Sequence, residues 1–60
     1  MNKVITDNEW NNFIDTNFVS EDVIEIIALR IKYNHEQTER EIAVYKKHGK
    51  RIEEKLKMYE

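Results

Sequence analysis

From Ser20 onward one register governs this chain. Ile24, Ala28, Ile31, His35, Thr38, Ile42, Tyr45, Gly49, Ile52, Leu56 and Tyr59 follow one another in alternating steps of four and three. Residues so spaced share one helical face, and the pattern lasts about five heptads, as in a coiled coil. Proline is absent and Gly49 is the single glycine, so there is little turn-forming material to interrupt a helix. The expected fold class is therefore all-α.

Two architectures satisfy this register. In the first, one helix runs from about residue 21 to 58, about 57 Å at the α-helical rise. Such a helix exposes an apolar seam and must pair with a copy of itself. In the second, the chain turns near residues 33–37 and returns as a helical hairpin. Residues 34–41, "NHEQTERE", hold no aliphatic side chain. Asn34 with Gln37, or Thr38 with Glu41, has the spacing of a capping box and could start a new helix. No glycine or proline marks that turn, and the long helix is the first expectation. Gly49 fits a helix end after His48, a close approach between helices, or a tolerated helix glycine costing about 1 kcal/mol. Because Ile52, Leu56 and Tyr59 keep phase across it, a continuous or kinked helix is expected there.

A shorter helix precedes this one, over about residues 7–17. Thr6 and Glu9 have capping-box spacing, and Ile5 and Trp10 occupy the positions of a hydrophobic staple. Trp10, Phe13 and Ile14 then share a face, with Phe18 one turn on. Ser20 is a second N-cap, followed by Glu21 and Asp22, where the helix dipole favours negative charge. Val19 and Ile24 repeat the staple spacing. The link of residues 17–19 is short enough to force a corner, with Phe18 and Val19 turned inward.

All 60 residues fit one small domain. A chain this size buries only about 60% of its unfolded surface, so added staples are usual. Cysteine is absent, which excludes disulfides, thiolate metal sites and thiol catalysis; oligomerisation remains. Charged residues make up 37% and hydrophobic residues 40%; the second figure argues against disorder. No apolar run approaches the roughly 18 residues of a membrane span. The N-terminus does not read as a secretory signal. A soluble, cytoplasmic chain with no membrane partner is expected. The abundance of Asn, Lys, Ile and Glu suits an AT-rich genome, and a small acidic helical chain is expected to be an accessory product of a phage or plasmid.

The net charge of −2 conceals an asymmetry. Residues 1–29 set Lys3 against Asp7, Glu9, Asp15, Glu21, Asp22 and Glu25. Residues 46–57 set Lys46, Lys47, Lys50, Arg51, Lys55 and Lys57 against Glu53 and Glu54. An acidic first half and a basic last part favour antiparallel packing, antiparallel self-association, or separate partners for the two ends.

Few residues point to chemistry. Lys46, Lys47, Lys50 and Arg51 could contact phosphates, with Tyr45 stacking on a base. Against this, Glu53 and Glu54 interrupt the run and the whole chain is acidic, whereas nucleic-acid domains are usually basic. A solvated helix face explains the same residues. His35 and Glu39 could share a metal on one face, but zinc needs three or four protein ligands and no second pair is at hand. On the seam, His35 is better read as a polar residue that sets register or partner number. Ser20, the only serine, is explained as a cap, and no glycine-rich loop cradles phosphate. Neither catalysis nor a cofactor is expected. Trp10, Phe13 and Phe18 serve either as core or as the anchors of a binding face.

The segments "DNEWNNFI" (Asp7 to Ile14) and "VSEDV" (Val19 to Val23) resemble the helix-turn-helix interaction segment of SinI-type antirepressors. That family binds and disables a repressor through helices, so the resemblance implies a protein-binding role. It covers about a third of the chain. The spacing from Trp10 to Ser20 is shorter than in the family's pattern, and the rest of the chain does not match it.

The sequence therefore predicts a small protein-binding regulator or inhibitor that acts through helices. It is expected to be a homodimer joined by Ile24, Ala28, Ile31, Ile42, Tyr45, Ile52, Leu56 and Tyr59. Alternatives are a nucleic-acid-binding dimer using residues 46–57 and a structural or assembly component.

Overall fold

The Thr6 hydroxyl opens the first helix by accepting from the Glu9 amide at 3.1 Å. A computed structural model describes residues 6–59, and the fold over them is all-helical. The helices are α1 (Asp7–Phe13), α2 (Glu21–Lys32) and α3 (Glu39–Met58). At the Thr6 cap the Glu9 carboxylate accepts from the Thr6 hydroxyl at 3.2 Å. Ile5, the expected staple partner of Trp10, lies outside the described residues.

α1 stops at Phe13, short of the expected Thr16 or Asn17. Ile14 has left helical geometry with ψ 123°. The Asp15 carboxylate then accepts from the Asn17 amide at 2.9 Å, a local bond by which Asp competes with helix continuation. The turn also reverses the role of Phe18. It is 78% exposed, while Val19 alone turns inward. Arg40 closes the frayed end of α1 from another helix. Its guanidinium donates to the Asn12 and Ile14 carbonyls at 3.1 and 3.0 Å. Those carbonyls are the acceptors a helix leaves unpaired, at the end where a cation is favoured.

α2 is capped by Ser20, whose hydroxyl accepts from the Val23 amide at 3.4 Å. It buries Val23, Ile24, Ile27 and Ala28, a face of the three–four spacing expected for a core helix. Residues 33–38 are not helical, so the single helix from about 21 to 58 does not form. The stop is built without glycine. Asn34 takes the left-handed conformation, φ 59°. Its amide donates to the Ile31 carbonyl at 3.0 Å, and the His35 amide to the Arg30 carbonyl at 2.8 Å. That pair of bonds is the Schellman motif, with Asn in the place glycine usually fills.

The Thr38–Glu41 capping box starts α3. The Glu41 side chain does more than cap, being fully buried. Arg30 Nε donates to both Glu41 carboxylate oxygens at 3.1 Å. The same guanidinium reaches Asp7 on α1 at 3.3 Å and the Glu36 carbonyl at 3.5 Å. One side chain thus ties α1, α2, the connecting turn and α3.

Glu41 drawn inward sets the phase of α3. Its inward positions are Glu41, Val44, half-buried His48, Ile52, Leu56 and Tyr59. The heptad seam placed Ile42 and Tyr45 inside; both are exposed, and Val44 fills the core instead. After His48 the inward positions rejoin the predicted register. His48 is the one residue of α3 with non-helical geometry, φ −126° and ψ 27°. The partners of α3 show that its direction changes there. Glu41 meets Arg30 near the end of α2, and Arg51 meets Glu21 at its start. Tyr59 then returns to Glu25, and its carbonyl accepts from Lys32. A straight helix would carry residue 59 about 27 Å beyond residue 41, too far for both to serve one end of α2.

Gly49, just past the break, does not use its conformational freedom, since no glycine here has positive φ. An added Cβ would meet only Tyr45 ring carbons at 3.6 Å, an ordinary contact. Gly49→Ala is accordingly expected to raise stability by about 0.5–1 kcal/mol, read in urea unfolding. A loss of stability would show that the bend needs glycine.

The core is Trp10, Ile14, Val19, Val23, Ile24, Ile27, Ala28, Val44 and Ile52, with Ile31, Leu56 and Tyr59 packed against it. Ile24, Ala28 and Ile52 are fully buried within one chain. That part of the proposed dimer seam is therefore internal packing. Among the described residues no helix is long and apolar enough to cross a membrane.

Candidate functional site

The outer side of α2 carries a second apolar stripe, Ile26, Leu29 and Tyr33, at the same spacing as its core face. α1 lies beside it. The Trp10 and Phe13 rings stack there with centroids 5.9 Å apart and planes 19° from parallel. Two hollows adjoin at Ile26, the first between α1 and α2 and the second along α2 and the turn that follows it. One, of about 300 Å³, is lined by Glu9, Trp10, Phe13 and Ile26. The other, of about 210 Å³, is lined by Ile26, Leu29, Arg30, Tyr33 and His35. They share Ile26 and form one groove.

The groove is open to water at large side chains: Phe13 is 70%, Tyr33 72% and Ile26 41% exposed. Single exposed apolar residues are ordinary, but a contiguous patch marks an interaction surface. Trp10 forms its floor, buried in the core. Of the three predicted anchors, Trp10 and Phe13 meet here, and Phe18 projects from the Asp15 turn. Ile26, Leu29 and Tyr33 were absent from the sequence-based candidates. Their signal was a second three–four stripe on α2, overshadowed by the longer register.

The charges around the groove are uneven. Asp7 and Glu9 stand on α1, and Asp22 lies one turn before Ile26 on the outer side of α2. Arg30 is committed to Glu41 and Asp7. Lys32 lies 5.9 Å over the Tyr33 ring and donates to the Tyr59 carbonyl at 2.8 Å. His35 Nε2 is 3.8 Å from Asp7, and its Nδ1 is 3.1 Å from the Glu36 carbonyl. Among the described residues no group of three or more potential metal ligands forms, around His35 and Glu39 or elsewhere.

The basic segment of α3 is largely engaged in packing. Arg51 donates to Glu21 at 2.6 Å and to the Val19 carbonyl at 3.2 Å. Lys55 stands 4.0 Å from Glu21, and Lys47 donates to the Asn17 side chain at 3.4 Å. Lys46 and Lys50 are exposed and make no ion pair among the described residues. Tyr45, expected to stack on a base, donates to Glu53 at 3.2 Å. That carboxylate holds the phenol above its usual value.

The Arg51 hydrogen bond and charge hold the Glu21 carboxyl below its ordinary 4.5. A depressed carboxyl contributes stability above the unfolded value and loses it as pH falls through the folded one. Glu21→Gln is therefore expected to be less stable than the parent at neutral pH, with the gap closing as pH drops below 4.5. Thermal melts of both proteins across that range test it; a gap independent of pH would remove the ion pair as its cause.

A hollow of about 340 Å³ beside the Asp15 turn is lined by Asn12, Phe13, Ile14, Asp15, Thr16, Asn17 and Arg40. Its charged members are already used, Asp15 in the turn and Arg40 on the α1 carbonyls. No protein-family model matches this chain, and neither a curated protein nor a solved structure does so.

Proposed function

We propose that this chain is a small protein-binding regulator or inhibitor, acting through helix-mediated association with a partner protein. The observation that supports it is the pair of open apolar hollows that adjoin at Ile26, where Phe13, Ile26 and Tyr33 are exposed. Aromatic side chains in such a setting are the usual anchors of protein interfaces. The nucleic-acid reading has weaker support, because Arg51 and Lys55 spend their charge on Glu21.

The test compares the tagged chain with a Phe13→Ser/Tyr33→Ser variant in extracts of the native host. Both positions are exposed, so the variant should keep its helical spectrum and its melting temperature. A protein retained by the parent and lost by the variant is the expected result. Recovery of the chain alone, or equal retention by both, would count against the proposal.

A further inference from the structure

Resting on that protein-binding reading, we infer that the groove takes an amphipathic helix of about three turns whose polar flank is basic over the Glu9–Asp22 end. Length comes first. From Asp22 to Tyr33 the outer stripe of α2 covers about 16 Å, three helical turns. Phe13, Ile26, Leu29 and Tyr33 along it match anchors at i, i+3 or i+4, and i+7 of an incoming helix.

The occupant's conformation follows from the walls. α2 lines the groove along its length, α1 joins it at the Ile26 end and His35 of the turn at the other, and the interior amides and carbonyls of both helices are paired within themselves. An extended peptide would find no backbone edge to bond and would carry its own polar groups unpaired onto an apolar floor. A helix arrives with its backbone bonds already made.

Charge selects among helices. Asp7 lies at the Tyr33 end, where Arg30 meets it at 3.3 Å and His35 stands close. Glu9 and Asp22 lie toward the other end and pair with no cation among the described residues. α1 holds no basic residue, and neither does the stripe Asp22, Ile26, Leu29, Tyr33. Among the described residues that end therefore presents negative charge with no paired cation beside an apolar floor, which favours a cationic flank and disfavours an acidic one. A second copy seated groove to groove would bring the same carboxylates together.

Three helical peptides lacking Trp, with identical Leu anchors and Lys, Gln or Glu flanks, make the test. Binding to the whole chain is read by fluorescence of Trp10, the only tryptophan, and by amide shifts at Phe13, Ile26 and Tyr33. The Lys peptide is expected to bind most tightly, with affinity falling as salt rises. Glu9→Gln/Asp22→Asn, which keeps shape at both sites, is expected to weaken it about threefold to tenfold. If the Gln or Glu peptide binds as well as the Lys peptide, the basic flank is wrong while the groove remains a binding site. If none of the three shifts the groove residues, the helix-docking assignment fails. Host-protein capture that still depends on Phe13 and Tyr33 would leave the protein-binding reading standing even then. Sedimentation as a dimer that Phe13→Ser dissociates would make a second copy the occupant and overturn the inference.

Discussion

Replacing Arg30 by Met is expected to lower the unfolding free energy by about 3 kcal/mol, toward the low end of what breaking a buried ion pair costs. The low end applies because the Arg30 side chain retains 17% exposure while that of Glu41 has none. The mechanism is the stranded partner. Without Arg30 the Glu41 carboxylate keeps only the Thr38 amide, which donates to it at 3.2 Å. Ionised, it sits unpaired in the core; protonated, it must take up a proton at neutral pH. A domain this small has on the order of 5 kcal/mol or less to lose. The variant should therefore retain about 2 kcal/mol or less, with its urea midpoint shifted far down. The double variant Arg30→Met/Glu41→Leu should recover much of the loss, since no charge is left buried. A single variant within about 1 kcal/mol of the parent would mean that Glu41 does not depend on Arg30.

The second large effect separates two registers of α3. Ile52 and Ile42 both lie on the heptad seam, so an uninterrupted seam gives Ala substitutions there similar costs. In the folded chain Ile52 is fully buried and Ile42 is 44% exposed. Ile52→Ala is therefore expected to cost about 2–4 kcal/mol, as cavity-forming substitutions do. Ile42→Ala should stay within about 0.5 kcal/mol, as surface substitutions do. Val44→Ala, off the seam but fully buried, should side with Ile52. Equal losses at Ile42 and Ile52 would restore the uninterrupted seam.

Much of the local structure was legible. Thr6 and Ser20 read as helix starts and Thr38 as one of two candidate starts for a returning helix, and each accepts from the amide three residues on. A cap needs only a short polar side chain and nearby backbone, so its signal is local. The inner face of α2 was legible for a similar reason, because Ile24, Ala28 and Ile31 repeat at helical spacing. The end of α1 was misplaced because Asp15 sits within an apolar pattern that reads as helix. Its side-chain bond to Asn17 decides the matter over two residues. The end of α2 was obscured because the usual marker, glycine, is missing and Asn34 takes its conformational role.

The groove was half legible. Trp10 and Phe13 stood out as aromatic residues on a short helix. Ile26, and through it Leu29 and Tyr33, joins them only because α1 meets α2 at Ile26, and no spacing within either helix fixes that placement. Arg30, thirty residues into the chain, helps set it by holding Asp7 and Glu41 together.

The sequence by itself determined that this chain is helical, where its first two helices begin, and that α2 has an inner apolar face. These follow from propensity, capping and period, which act within a few residues. Only the tertiary structure decided which face of α3 turns inward, where α3 bends, and which apolar residues are left for a partner. A buried carboxylate must lie where its cation is, and Arg30 comes from a different helix. Once Glu41 is placed there, Val44 rather than Ile42 enters the core, and Ile52, about three turns beyond Glu41, shares its face. A period of three and four cannot record that choice, because it is made by an ion pair between residues eleven positions apart.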